Sequence, residues 1–291
     1  MAGLAINLPL LALLNLAVGS VAIPIGDVLG ILMGHDGGVP EVWRNIVMDM
    51  RLPQTLTAIA CGAGLAVAGL EMQTVFHNPL AGPSVLGISS AASLGVAVVV
   101  LLSGTLGGRL AVQFGVAGNA VITLAATCGA LAVMALIVWL SGRVEGSATL
   151  LIVGVMIGYI ATAIIGVMKY FATEEDVRAY VIWGLGSFSR VTGGQVEVFV
   201  GLMLVLLPLS LLLAKPLNML LLGERYATNL GLDIRRARTL IICSAGTLTA
   251  VATAYCGPIM FLGLAVPHIC RGLTRTEDHR VMMPATLLGG A

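Results

Sequence analysis

Charge is scarce in this chain of 291 residues: 10% are Asp, Glu, Lys or Arg, where a soluble domain carries about 25%. That deficit excludes an ordinary water-exposed surface. The 58% of hydrophobic residues and a mean hydropathy of +1.02 point instead to a polytopic membrane protein. An excess of one sign is also lacking. The 15 Lys and Arg nearly balance the 14 Asp and Glu, with no basic run, so the chain offers no electrostatic footprint for nucleic acid. Its five cysteines, Cys61, Cys128, Cys243, Cys256 and Cys270, have no C-x-x-C spacing and read as small packing residues. G-x-S-x-G and H-E-x-x-H are absent, and the histidines at 35, 77, 268 and 279 are far apart, so nothing marks catalysis within the membrane. There is no G-x-x-x-x-G-K-[ST] loop, which rules out a P-loop ATP site on this chain. Uphill transport would then draw on a gradient or on another subunit.

What is present is a series of apolar runs. A crossing needs about 20 apolar residues, and candidates lie near 4–22, 55–76, 85–103, 114–140, 149–168, 196–214, 239–256 and 258–273. The first follows Met-Ala-Gly without a preceding Lys or Arg or a following A-x-A-like site, and so reads as a membrane helix rather than a cleaved signal. A ninth run starts at Val281 and stops at Ala291, about half a crossing, so the reading is a chain cut short inside the bilayer. With the N-terminus in the cytoplasm, the loops on that side hold nine of the basic residues and the outer loops six, as the positive-inside rule prefers.

Several features lie between or within these runs. The 37 glycines fall at small-residue spacings such as Gly62, Ala66, Gly69 and Gly154, Gly158, which predicts closely packed helices. The segment 174–194 is too polar to span but carries Val177, Tyr180, Val181 and Trp183 at helical spacing; it reads as a helix on the outer surface with a Trp/Tyr interface anchor. Gly82-Pro83 before Leu86-Gly87 parallels Gly257-Pro258 before Leu262-Gly263, on opposite sides of the membrane, as inverted repeats are. Glu71 is the one charged residue well within a predicted span. It reads either as a cargo contact facing a wet vestibule or as a carboxylate paired with a neighbouring helix. The cytoplasmic loop 215–238 predicts a short surface helix from Asn218 to Leu230, with Leu221, Ala227 and Leu230 on one side and Gly231 as its C-cap.

In that loop Glu224-x-x-Ala227-x-x-x-Gly231 resembles the signature with which permeases of ABC importers engage their ATPases. Together with RLPQTL, MQTVFHNPLAGPSVLGIS, LLLGERYATNLGL, GPIMFLGLAVPHICRGL and a following DHR, in that order, it makes the chain similar to the FecCD-type permeases. These import iron-siderophores, haem and cobalamin.

The resemblance implies an all-α fold of ten membrane helices, of which this chain would lack the last two. It also implies a second permease copy or paralogue, an ATPase subunit that holds ATP and Mg, and a periplasmic or lipid-anchored substrate-binding protein, in a bacterial cytoplasmic membrane. No cofactor is expected on this chain. By the same resemblance Asn78 and Leu80 match an inner-gate turn, and Ser147 and Ala148 a second gate segment. Leu221, Gly223, Glu224, Ala227, Leu230 and Gly231 fall in the coupling helix. Arg51 matches a position that pairs with the binding protein, although Gln54 stands where the family often has a second Arg. His77, beside the gate turn, is a candidate cargo contact or, as one His among apolar residues, a structural side chain, and His268 matches a Pro-His pair of structural role. The resulting expectation is a permease for an iron chelate such as a siderophore complex, with haem or cobalamin as the alternative cargo and an ion-coupled carrier as the alternative class.

Overall fold

The structure, a computed structural model, describes residues 2–35, 38–102, 116–144 and 147–291. Among these it is helical throughout, with no strand. The chain opens with α1 (Ala2–Ala17), α2 (Ile25–Leu32) and α3 (Glu41–Asn45). A π-helical segment, Ile46–Arg51, leads directly into α4 (Leu52–Val75). The rod of 35 residues from Glu41 to Val75 therefore starts well before the run read from the sequence. The wide turn falls just ahead of Pro53, which has no N–H to continue the regular ladder.

A 3-10 turn, Pro83–Leu86, precedes α5 (Ile88–Leu101), followed by α6 (Val116–Ser141), α7 (Ser147–Phe171), α8 (Glu174–Gly184) and α9 (Gly194–Leu211). The remainder is α10 (Ala214–Leu221), α11 (Glu224–Asn229), α12 (Ile234–Cys256), α13 (Leu262–Thr274) and α14 (His279–Gly290).

Helix α4 is the axis of the bundle: α9, α12, α13 and α14 all pack on it. Its small residues let backbones touch. A methyl group on Gly69 would stand 1.7 Å from the Gly263 carbonyl oxygen, and one on Gly62 would stand 2.0 Å from that of Gly290. The expected small-residue packing is thus realised, α4 against α13 and α14.

Among the described residues, five helices are long and apolar enough to span on their own, while α5 and α13 have 14 and 13 residues. Each of the two follows one of the Gly-Pro segments. Gly257 lies against the Trp183 carbonyl and Gly186, at the α8 end of the bundle, whereas the Gly82-Pro83 segment follows the opposite end of α4. The two segments meet within the bundle, where Pro83 touches Gly263 and a cavity of about 120 Å³ is lined by Ser84, Ser89, Thr249 and Phe261. Irregular backbone is tolerated at such depth where protein surrounds it, and each of the two short helices is preceded by an arm that is not α-helical.

Helix α8 is present as expected, with Thr173 accepting the Asp176 N–H at its start. The interface-anchor reading is corrected, since Tyr180 and Trp183 are buried inside the protein. Their rings pack at 6.3 Å, under the α5 side of the fold.

Candidate functional site

The candidate site is the end of the bundle where α4 stops and the 215–238 loop folds. Helix α4 ends at Val75, and His77 takes a left-handed φ of 48°. The Asn78 side chain accepts the Leu80 N–H at 2.9 Å while its carbonyl accepts the Ala81 N–H at 3.0 Å. This is the self-bonded turn that Asn favours, and it leaves the Leu80 side chain 69% exposed at the tip. The predicted turn therefore exists. Beyond it, Leu86 and Gly87 press on Gly154 and Gly158 of α7. Ala148 is exposed at the start of that helix, and the Ser147 side chain lies outside the described residues.

The 215–238 loop differs from the single helix expected between Asn218 and Leu230. It breaks into α10 and α11 at Gly223, whose φ of +95° and ψ of 149° suit no residue with a side chain. At its far end Gly231, at φ +85°, donates to the Thr228 carbonyl at 2.9 Å, and Leu232 donates to that of Ala227 at 2.9 Å. That pair of bonds is a Schellman cap and confirms the C-cap assignment. The one-sided face is corrected. Ala227 is fully buried, while Leu221 and Leu230 are exposed along with Leu222 and Tyr226. Ala227 thus seats α11 on the bundle, and the four larger side chains form an open apolar rim. Glu224 is drawn inward as well, bonded at 2.5 Å to Arg238 on α12, which is 9% exposed.

Three side chains at the end of α4 tie it to three other elements. Gln73 accepts from Arg271 on α13 at 2.5 Å and donates to the Leu264 carbonyl at 3.3 Å. Thr74 meets the His279 ring of α14 at 2.8 Å. His77 donates through Nε2 to the Leu220 carbonyl on α10 at 2.9 Å, so this exposed side chain has the structural task that one His among apolar residues suggests. His268 is exposed on α13, and the preceding Pro267 is buried.

The Arg51 assignment is corrected, and of the two readings of Glu71 the pairing with a neighbouring helix is the one found. Arg51 is 7% exposed and caps α1, its guanidinium donating to the carbonyls of Leu16 at 2.7 Å, Ala17 at 3.0 Å and Val21. A cation satisfying the open carbonyls of a helix end is not available to a docking protein. Glu71 is fully buried between α4 and α12, accepting from Ser244 at 2.8 Å, and faces no vestibule in this conformation.

Comparison with known proteins places this architecture. The model of the FecCD transport family matches residues 7–291. This chain belongs to the FecCD transport family. Curated relatives include the vitamin B12 import system permease protein BtuC of Salmonella paratyphi A, 36% identical over 279 residues, which covers 94% of this chain and 81% of the relative. The Klebsiella pneumoniae protein of the same name is 36% identical over 289 residues, covering 99% of this chain and 81% of its own length. A solved structure described as an inward-facing conformation of a metal-chelate type ABC transporter superposes with a TM-score of 0.83 at 27% identity, over 99% of this chain and 85% of that one. Members of the FecCD family are permease subunits of ABC importers and not themselves enzymes. The chain is accordingly a multi-pass inner-membrane permease.

Proposed function

We propose that this FecCD-family permease passes a large metal chelate into the cytoplasm, a corrinoid in the first reading and a ferric siderophore in the second. The names borne by the 36%-identical relatives favour the corrinoid. The FecCD family as the sequence resembles it also includes iron-siderophore importers, which keeps the second reading. In either case the chain makes and breaks no covalent bond, and ATP and Mg belong to a partner ATPase.

The observation that carries the mechanism is the direct tie between coupling segment and gate turn. The rim of Leu221, Leu222, Tyr226 and Leu230 is exposed where an ATPase would dock, and Ala227 with the Glu224–Arg238 pair fixes α11 to the bundle. Two residues beyond α4, His77 holds the Leu220 carbonyl, and three residues further on Leu80 projects. A push on the rim therefore reaches the turn through rigid helices and hydrogen bonds rather than through a flexible loop. In this reading the rim end of the bundle and the N-terminus face the cytoplasm. A binding protein delivers cargo at the α8 end, and a second permease copy completes the path against the exposed face of α7.

Two measurements test this. The chain, purified with its ATPase, should lose that subunit on Gly223→Val or Gly231→Val, because each forces a side chain into a left-handed backbone position. Retained ATPase in both variants would remove the coupling assignment. Proteoliposomes carrying the full transporter and its binding protein should take up cyanocobalamin in an ATP-dependent manner. Uptake of a ferric hydroxamate instead would select the second reading, and uptake of neither would overturn both.

A further inference from the structure

The Asp278-His279-Arg280 triplet opens α14 between α10 and the last turn of α4. Asp278 caps the helix by accepting the Arg280 N–H at 2.9 Å. That bond, and then the Asn218 amide at 2.6 Å, hold its carboxyl below the usual carboxylate range. Because the Asn218 nitrogen is committed to Asp278, its oxygen is the atom turned toward His279. This oxygen lies 2.8 Å from the His279 backbone N–H and 2.9 Å from Nδ1. A carboxamide oxygen only accepts, so the ring proton resides on Nδ1.

Nε2 then presents its lone pair to the Thr74 hydroxyl at 2.8 Å. His279 is 1% exposed, and burial, aided by the Arg271 charge, pushes it down to about 4, so the ring is neutral at ordinary pH. The Thr74 hydroxyl lies 2.8 Å from Nε2 and 2.9 Å from the Leu70 carbonyl and shares its one proton between them, while His279 donates to Asn218 and Asn218 to Asp278. Such a chain, buried at its centre, joins α4, α14 and α10 and resists sliding of one helix past another.

We propose that Thr74, His279 and Asn218 form a positioning relay that locks α10 to the last turn of α4, so that displacement of the coupling segment carries the Asn78–Leu80 turn with it. The relay's use in coupling rests on the transport reading above, but its existence as a mechanical link does not. His77 on Leu220 supplies a second, parallel attachment two residues along α10. None of the three relay residues needs to touch cargo or ATPase. They act through the helices they join.

Hydrogen exchange read by mass spectrometry on the full chain in nanodiscs tests the link. Thr74→Val keeps the shape and removes the hydroxyl. It should speed exchange of residues 214–221, on a different helix, by about tenfold. Thr74→Ser should restore the wild-type rate to within about twofold, and adding Thr74→Val to Asn218→Leu should produce little further change because the chain is already cut. In the assembled transporter Thr74→Val should leave ATP hydrolysis in place and lower the cyanocobalamin taken up per ATP, with Thr74→Ser again near wild type.

Unchanged exchange at 214–221 in Thr74→Val, or a Thr74→Ser variant as loose as Thr74→Val, would overturn the relay. Equal loss of hydrolysis and uptake would overturn its role in coupling. Failure of the transport reading would show separately, as a wild-type chain that retains no ATPase, and would leave the exchange result standing.

Discussion

Helices α4 and α7 are both long enough to cross a membrane, yet the more deeply buried of the two is the less hydrophobic. The rod ending in α4 has a mean hydropathy of 1.5 with 83% of its most apolar stretch buried, while α7 reaches 2.5 with 22% buried. In water that order would be reversed. In lipid the outside is apolar, so burial inside the bundle is where polar groups can find partners. Helix α4 accordingly carries Thr55, Thr57, Glu71, Gln73 and Thr74, all buried and all hydrogen-bonded to protein. Helix α7 instead displays Ile152, Tyr159, Ile160 and Val167 on its open face. Hydropathy thus separates the axis of the fold from its rim, with the sign opposite to that in a soluble domain.

The sharpest contrast to test is glycine. Gly69→Ala on α4 would drive a methyl into the Gly263 carbonyl, whereas Gly166 on α7 has open space around it. Thermal unfolding in detergent should show Gly69→Ala destabilised by about 3 kcal/mol or more. Gly166→Ala should lie within about 1 kcal/mol of wild type, with any change favourable. Similar losses at both sites would erase the distinction between axis and rim.

Of similar size is an effect at the foot of α4. The His279 value in the fold, about 4, lies below the ordinary 6.5, so the unfolded chain takes up the proton first. Stability is then complete above pH 6.5 and declines as pH falls toward 4, by an amount on the order of 3 kcal/mol. Denaturant unfolding at neutral and acid pH should show His279→Gln losing less stability over this interval than wild type. An identical decline in both proteins would exclude His279 as its source.

The smallest expected effect concerns the buried carboxyl. Glu71 holds Ser244 through Oε1, and its Oε2 has no hydrogen-bond partner among the described residues. Ser244→Ala should cost about 1–2 kcal/mol, and combining it with Glu71→Leu should recover most of that, since no polar group is then left unmatched. A double variant weaker than Ser244→Ala alone would mean that Glu71 contributes something beyond this pair.

How much of the site could be read in advance depended on the range of the contact involved. The Asn78–Leu80 turn and the Gly231 cap were legible because an Asn that bonds its own backbone and a Gly past the end of a helix are local devices. The break at Gly223 was not, since nothing in its neighbours separates a glycine at φ +95° from one inside a helix. Arg51 was misplaced for a related reason. An arginine at a membrane boundary looks available until α1 is seen to end against it, 34 residues away in sequence. The Glu71–Ser244 and Thr74–His279 pairs are separated by 173 and 205 residues, beyond any spacing rule.

The sequence by itself determined that this chain would be a helical membrane protein with a glycine-rich interior, a turn after α4 and a short helical loop capped at Gly231. Composition and short-range backbone preference decide those matters wherever the chain goes. Only the tertiary structure decided that two Gly-Pro arms meet inside the bundle, that Arg51 and Glu71 are internal, and that histidines 77 and 279 tie α10 to the end of α4 and the turn beyond it. The physical reason is the solvent. In lipid, a polar side chain is satisfied by whichever backbone or side chain the fold brings to it, and that partner is set by packing across the whole chain.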